Sequence, residues 1–80
     1  MGIKEAIVLR IKELCTERNI SYNALAYISG VTPSTVYSLI DNSRKDIGIV
    51  LLKKLCDGFG ITITEFFDNK IFKKLDQEIK

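Results

Sequence analysis

Apolar positions recur along most of this chain at three- and four-residue steps, the period of helices buried on one side. Over residues 4–18, Ile7, Ile11, Leu14 and Cys15 share a stripe, while Lys4, Glu5, Arg10, Lys12, Glu13, Glu17 and Arg18 cover the other faces. A second short pattern opens at Ser21, whose side-chain oxygen can accept a first-turn N–H, and carries Leu25, Ala26 and Ile28. Ile20, just before that cap, is placed to staple onto Leu25. Gly30 closes the pattern, because a left-handed helix exit costs least without a Cβ. Val31 can bury in the turn. Thr32-Pro33 then starts a third helix, a capping hydroxyl followed by proline at the first helical position, where its missing N–H costs nothing.

At about 100° per residue, Thr32, Val36, Leu39 and Ile40 fall on one side of the third helix. Ser34, Ser38 and Asp41 fall on the other, with Thr35 and Tyr37 on its flanks. Two short helices joined by a Gly-containing turn describe a helix-turn-helix over residues 21–42, and the small Ala26 permits a close crossing. Asp41-Asn42 ends the third helix, and a polar loop at 43–46 carries Arg44 and Lys45. A fourth helix spans about 48–59, with Ile49, Leu52, Leu55 and Cys56 inward, Lys53 and Lys54 outward, and Gly58 and Gly60 framing its exit. Ile61 and Ile63 pack the connection, and Thr62 or Thr64 caps a short fifth helix through Glu65, Phe66 and Phe67. In the tail, Ile71, Phe72, Leu75 and Ile79 form an apolar stripe that predicts an amphipathic last helix. Such a helix either folds back on its own core or pairs with a second copy.

The stretch SYNALAYISGVTPSTVYSLIDN, residues 21–42, resembles the helix-turn-helix of the Cro/C1 phage-repressor family, also called XRE-like. The likeness runs from about residue 7 to 68. IGIVLLKKLCDGFGITITEFFD, residues 47–68, looks like the family's fourth and fifth helices. The resemblance implies an all-α fold: a compact five-helix, phage-repressor-like DNA-binding domain over residues 1–68. Residues 69–80 form a C-terminal amphipathic tail able to make a sixth helix for dimerisation.

Departures from the family pattern are informative. Members often carry arginine where Cys15 stands and glutamate where Ile40 stands, as an inner ion pair. Here both are apolar, a self-consistent double change, since one stranded charge would cost about 3–5 kcal/mol. Cys15 and Ile40 are therefore expected near each other in the core. Asparagine replaces the usual glycine at Asn42, the next best residue for a left-handed exit. Val50 and Leu51 are apolar where the family is often polar, so one is expected to face a partner.

Composition narrows the chemistry. Eighty residues, 46% apolar and 28% charged, make one globular domain too small for a core plus an elaborate enzyme cleft. The net charge of +2 permits a nucleic-acid partner without demonstrating one. Cys15 and Cys56 form no CxxC pair and no histidine accompanies them, so they read as buried, reduced thiols of a cytosolic protein; a redox switch is the rival reading. No metal, cofactor or small-molecule site is visible. The apolar run 6–9 is interrupted by Arg10 and Lys12, far short of a membrane span, and the N-terminus lacks a secretory signal, which predicts a cytoplasmic protein.

The resemblance assigns positions at the start of the third helix and one turn later to the bases of double-stranded DNA. Here these are Pro33, Ser34, Thr35 and Ser38, with Tyr37 beside them. Residues 21–40 contain no charged side chain, and hydroxyls, which both donate and accept, discriminate bases poorly. Phosphate contacts must then supply much of the affinity. The helix start at Ser21, Tyr22 and Asn23 offers N–H groups, and Arg44 and Lys45 offer cations. Asp41 argues the other way, because a carboxylate near the DNA backbone is repelled. The leading expectation is a transcriptional regulator, a repressor binding its operator as a homodimer, with Phe72 and Leu75 in the dimer surface. The rival is a protein-interaction module that keeps the fold and binds DNA weakly. An enzyme is the least supported class, since no histidine, phosphate loop or nucleophile–base pair is present.

Overall fold

Side-chain caps open α-helices at Ser21, Thr32 and Thr62, and left-handed residues end three helices, in a computed structural model that describes residues 1–41 and 46–79. The elements are α1 (Ile3–Arg18), α2 (Tyr22–Ser29), α3 (Pro33–Ile40), α4 (Ile49–Phe59) and α5 (Ile63–Phe67), followed by a 3-10 turn at Lys70–Lys73. The protein is all-helical among the described residues.

Asn19 ends α1 in the left-handed conformation (φ 53°), and the N–H of Ile20 reaches back to the Cys15 carbonyl at 3.0 Å. Gly30 (φ 70°) and Gly60 (φ 73°) end α2 and α4 in the same way. Thr62, and not Thr64, caps α5: its hydroxyl accepts from Glu65 N–H at 3.0 Å, while Glu65 Oε1 accepts from Thr62 N–H at 3.0 Å. α3 ends at Asp41 in an extended conformation (φ −67°, ψ 136°), and its N–H donates to the Tyr37 carbonyl. The left-handed exit expected at Asn42 lies outside the described residues.

The core is one cluster. Ile11, Leu25, Ala26, Val36, Leu39, Leu55, Cys56 and Phe66 have no exposed surface, and Leu14, Cys15, Leu52 and Phe59 complete it. Ile20, Ile40, Ile61 and Ile63 pack half-buried against it. Thus Cys15 lies in the cluster and Ile40 on its edge, and no charge is buried among the described residues. Burial raises the pKa of both the Cys15 and Cys56 thiols, which keeps them protonated at neutral pH.

Three expectations are revised. Ile49 is 69% exposed, although Cys56, two turns later on nearly the same face, is fully buried. Periodicity identifies a face, but Ile49 lies in the first turn of α4, at the end of the packed stretch. Val50 beside it is 66% exposed and Leu51 is half-buried. Gly58, next, lies inside α4 at a close crossing with α2. A Cβ there would stand 2.1 Å from Ser29 Oγ and 3.3 Å from Ile28 Cγ1. Ser29 is buried at that crossing and its Oγ has no hydrogen-bond partner.

The tail is the third revision. In place of an amphipathic α-helix, it makes the 3-10 turn and then runs on without helix. Phe72 packs on Phe67 (ring centroids 4.8 Å) and Phe66 (6.0 Å), so the tail folds back on its own core. Asp76 N–H donates to the Met1 carbonyl at 2.8 Å, and the Met1 ammonium meets the Asp76 carboxylate at 3.0 Å. Arg10 is not a solvent-facing charge. Its Nε donates to the Phe66 carbonyl at 2.8 Å and its Nη2 to Glu65 at 3.2 Å, closing the end of α5, while Glu13 holds both Arg10 and Asn69. These contacts cover a second side of α1, the one that carries the buried Ala6 four residues before Arg10.

Candidate nucleic-acid interface

α2 and α3 pack on each other and on the core through Leu25, Ala26, Val36 and Leu39, which fixes the face that α3 turns away. Pro33, Ser34 and Ser38 are exposed there, Tyr37 is half-exposed, and Thr35 is half-buried on the flank. Five expected base-facing residues therefore divide into four on the open face and one beside it.

The start of α3 is held by hydroxyls. Thr32 Oγ1 accepts from Thr35 N–H at 3.3 Å and lies 3.0 Å from Ser34 Oγ and 2.9 Å from Thr35 Oγ1. That arrangement fills the one donor and two acceptor positions of the Thr32 hydroxyl. The start of α2 is similar: Ser21 Oγ accepts from Ala24 N–H at 3.0 Å. Because Ser21 caps only that N–H, the earlier turn of α2 at Tyr22 and Asn23 still presents donors to an anion.

Tyr22 joins the two helices at this end. Its ring meets Tyr37 edge to face, with centroids 5.7 Å apart and planes at 83°. Burial, reinforced by Cys15 and Tyr37, raises the Tyr22 pKa, so its hydroxyl stays a neutral donor. Both tyrosines border an open hollow of about 620 Å³ together with Lys12, Thr16, Asn19 and Ser21. The sequence pattern places Lys12 only on the outside of α1; the fold brings it to the same hollow as the first turn of α2 and Tyr37. The available signal was the polar series Lys12, Thr16 and Asn19 at i, i+4 and i+7, which runs straight to the Ser21 cap.

At the other end of α3, Lys4 Nζ donates to the Asp41 carbonyl at 3.2 Å. A cation thus stands beside the acidic residue that argued against DNA, and Coulomb attraction offsets part of its field. Arg44 and Lys45 lie outside the described residues. Phe72 and Leu75 are half-buried in the folded-back tail. No described helix is long and apolar enough to cross a membrane.

A family model of the Cro/C1-type HTH DNA-binding domain matches residues 10–70. The chain belongs to the Cro/C1-type helix-turn-helix family. The match takes in all of α2 to α5 and the second half of α1. Among solved structures, it is similar to the crystal structure of the prophage Lp1 protein 11, at 30% sequence identity and a TM-score of 0.77. The likeness covers 86% of this chain and 92% of that one. No curated protein matches. The phage-repressor-like, all-helical fold is shared by sequence and by shape.

Proposed function

We propose that this Cro/C1-type protein is a sequence-specific, double-stranded DNA-binding transcriptional regulator, a repressor that occupies its operator as a homodimer. α3 enters the major groove, with Pro33, Ser34, Tyr37 and Ser38 toward the bases and Thr35 at the margin. Ser21, Tyr22 and Asn23 approach phosphates, joined by Lys12 and by Arg44 and Lys45 of the following loop. The observation that carries this reading is the outward face of α3, open while Val36 and Leu39 on its other side are fully buried. Operator DNA lies inside the cell, so the reading places the protein in the cytoplasm. Residues 1–68 read DNA, and the tail supplies Phe72 and Leu75 to the dimer through the surface they leave uncovered.

Selection of bound sequences from a random duplex pool at moderate salt tests the reading. Enrichment of a palindrome with half-sites about one helical turn apart is the expected result. Lys12→Gln then weakens binding evenly across sequences and lowers the salt slope by about one. A folded protein that enriches nothing overturns the proposal.

A second reading, a protein-interaction module, is favoured by the exposed apolar side chains Tyr27, Ile49 and Val50. Salt separates the two, because binding through several phosphates weakens steeply as salt rises. Salt-insensitive binding to a protein would favour the module.

A further inference from the structure

The outward face of α3 lacks every side chain that reads bases through paired hydrogen bonds. PSTVYSLI contains no Arg or Lys for guanine, no Asn or Gln for adenine and no Asp or Glu for cytosine. Its first hydroxyls are already engaged, since Ser34 Oγ and Thr35 Oγ1 both bond Thr32 Oγ1. Beyond the Ser38 and Tyr37 hydroxyls, what the face presents is carbon. The Pro33 ring is exposed at the first helical position, and Tyr37, 50% exposed, stands four residues on, adjacent on the same side of the helix. The edge contact with Tyr22 holds the Tyr37 ring in place, so its surface is offered at little entropic cost.

We infer that Pro33 and Tyr37 form an apolar contact for the 5-methyl group of thymine, and that thymine methyls are the main sequence information α3 reads. The inference rests on the DNA-binding reading above. Of the four bases, thymine alone presents an apolar group in the major groove. Removing one buried methyl from water changes an equilibrium constant about fourfold. A site read this way tolerates changes that keep a methyl in place and resists those that remove it.

The test uses the full chain and the site enriched from the random duplex pool. Each thymine of that site is replaced singly by deoxyuridine, which deletes the methyl and leaves every hydrogen-bonding edge intact. Binding is expected to weaken about fourfold at the contacted thymines and to hold at the others. Pro33→Ala removes that difference at one such position and Tyr37→Ala at another, whereas Tyr37→Phe, which keeps the ring, retains it. Circular dichroism confirms that each variant is folded, and Tyr37→Gln, which also removes the ring, stands in if Tyr37→Ala is not. Unchanged affinity with uracil at every thymine overturns the inference and leaves DNA binding intact. Discrimination that survives both alanine variants overturns the assignment to Pro33 and Tyr37. Failure of the folded protein to enrich any sequence overturns the inference together with the reading beneath it.

Discussion

The α2–α3 hairpin and the C-terminal tail are both short, apolar-striped and terminated by polar residues, yet they take their conformations from different sources. In the hairpin, Ser21 and Thr32 accept N–H groups three residues on, and Gly30 makes the turn, all within a span of fifteen residues. In the tail, Phe72 is placed by Phe66 and Phe67, Asn69 bonds Glu13, and Asp76 pairs with Met1. Partners 56 and 75 residues away in sequence outweigh a helical stripe (Asn69 to Glu13, Asp76 to Met1). A single helix turn is marginal without packing, so long-range contacts decide it.

The comparison can be broken by substitution. Leu39→Ala deletes a fully buried side chain of the hairpin and is expected to cost about 2–5 kcal/mol, lowering the urea midpoint of the whole domain in one transition. Phe72→Ala, which removes a half-buried ring, is expected to cost less, about 1–3 kcal/mol, and to raise amide exchange in the tail before the hairpin. An equal loss of protection in α2 and α3 would mean that the tail and hairpin are one cooperative unit. Thr32→Ala removes the α3 cap and is expected to cost about 1 kcal/mol in thermal melts, whether or not the tail is intact.

The smallest effect is a pH dependence at α5. Hydrogen bonds from Thr62 hold the Glu65 carboxyl below its ordinary pKa. A lowered folded-state value means the contribution is present above the unfolded pKa and is lost as pH falls through the folded one. Glu65→Gln should therefore flatten the acid side of the stability profile slightly, below the ordinary carboxylate range. An unchanged profile would show that the capping box carries no charge-dependent stability.

How far the candidate site was readable follows from the same contrast. Ser34 and Ser38 could be placed on the open face because Val36 and Leu39 define the opposite one within a single helix. Lys12 could not be placed at the Tyr22–Tyr37 hollow, because that requires the path of α1 past α2. Arg10 carries the same lesson. Its charge suggested solvent, but α5 supplied carbonyl acceptors 55 and 56 residues away. Ile49 shows a third limit, since a stripe gives direction and not the point where the neighbouring helix stops.

Sequence by itself determined the order of five helices, the caps at Ser21 and Thr32, the turn at Gly30 and the core positions Ile11, Leu14, Leu25, Val36, Leu39, Leu52 and Leu55. Those features depend on hydrogen bonds and periodicities spanning a few residues, which any reading of neighbours along the chain captures. Tertiary structure alone decided the folded-back tail, the Gly58–Ser29 crossing, the Arg10 closure of α5 and the meeting of Lys12 with Tyr37 at one hollow. Each depends on the distance between segments remote in sequence, and that distance exists only once the core has closed.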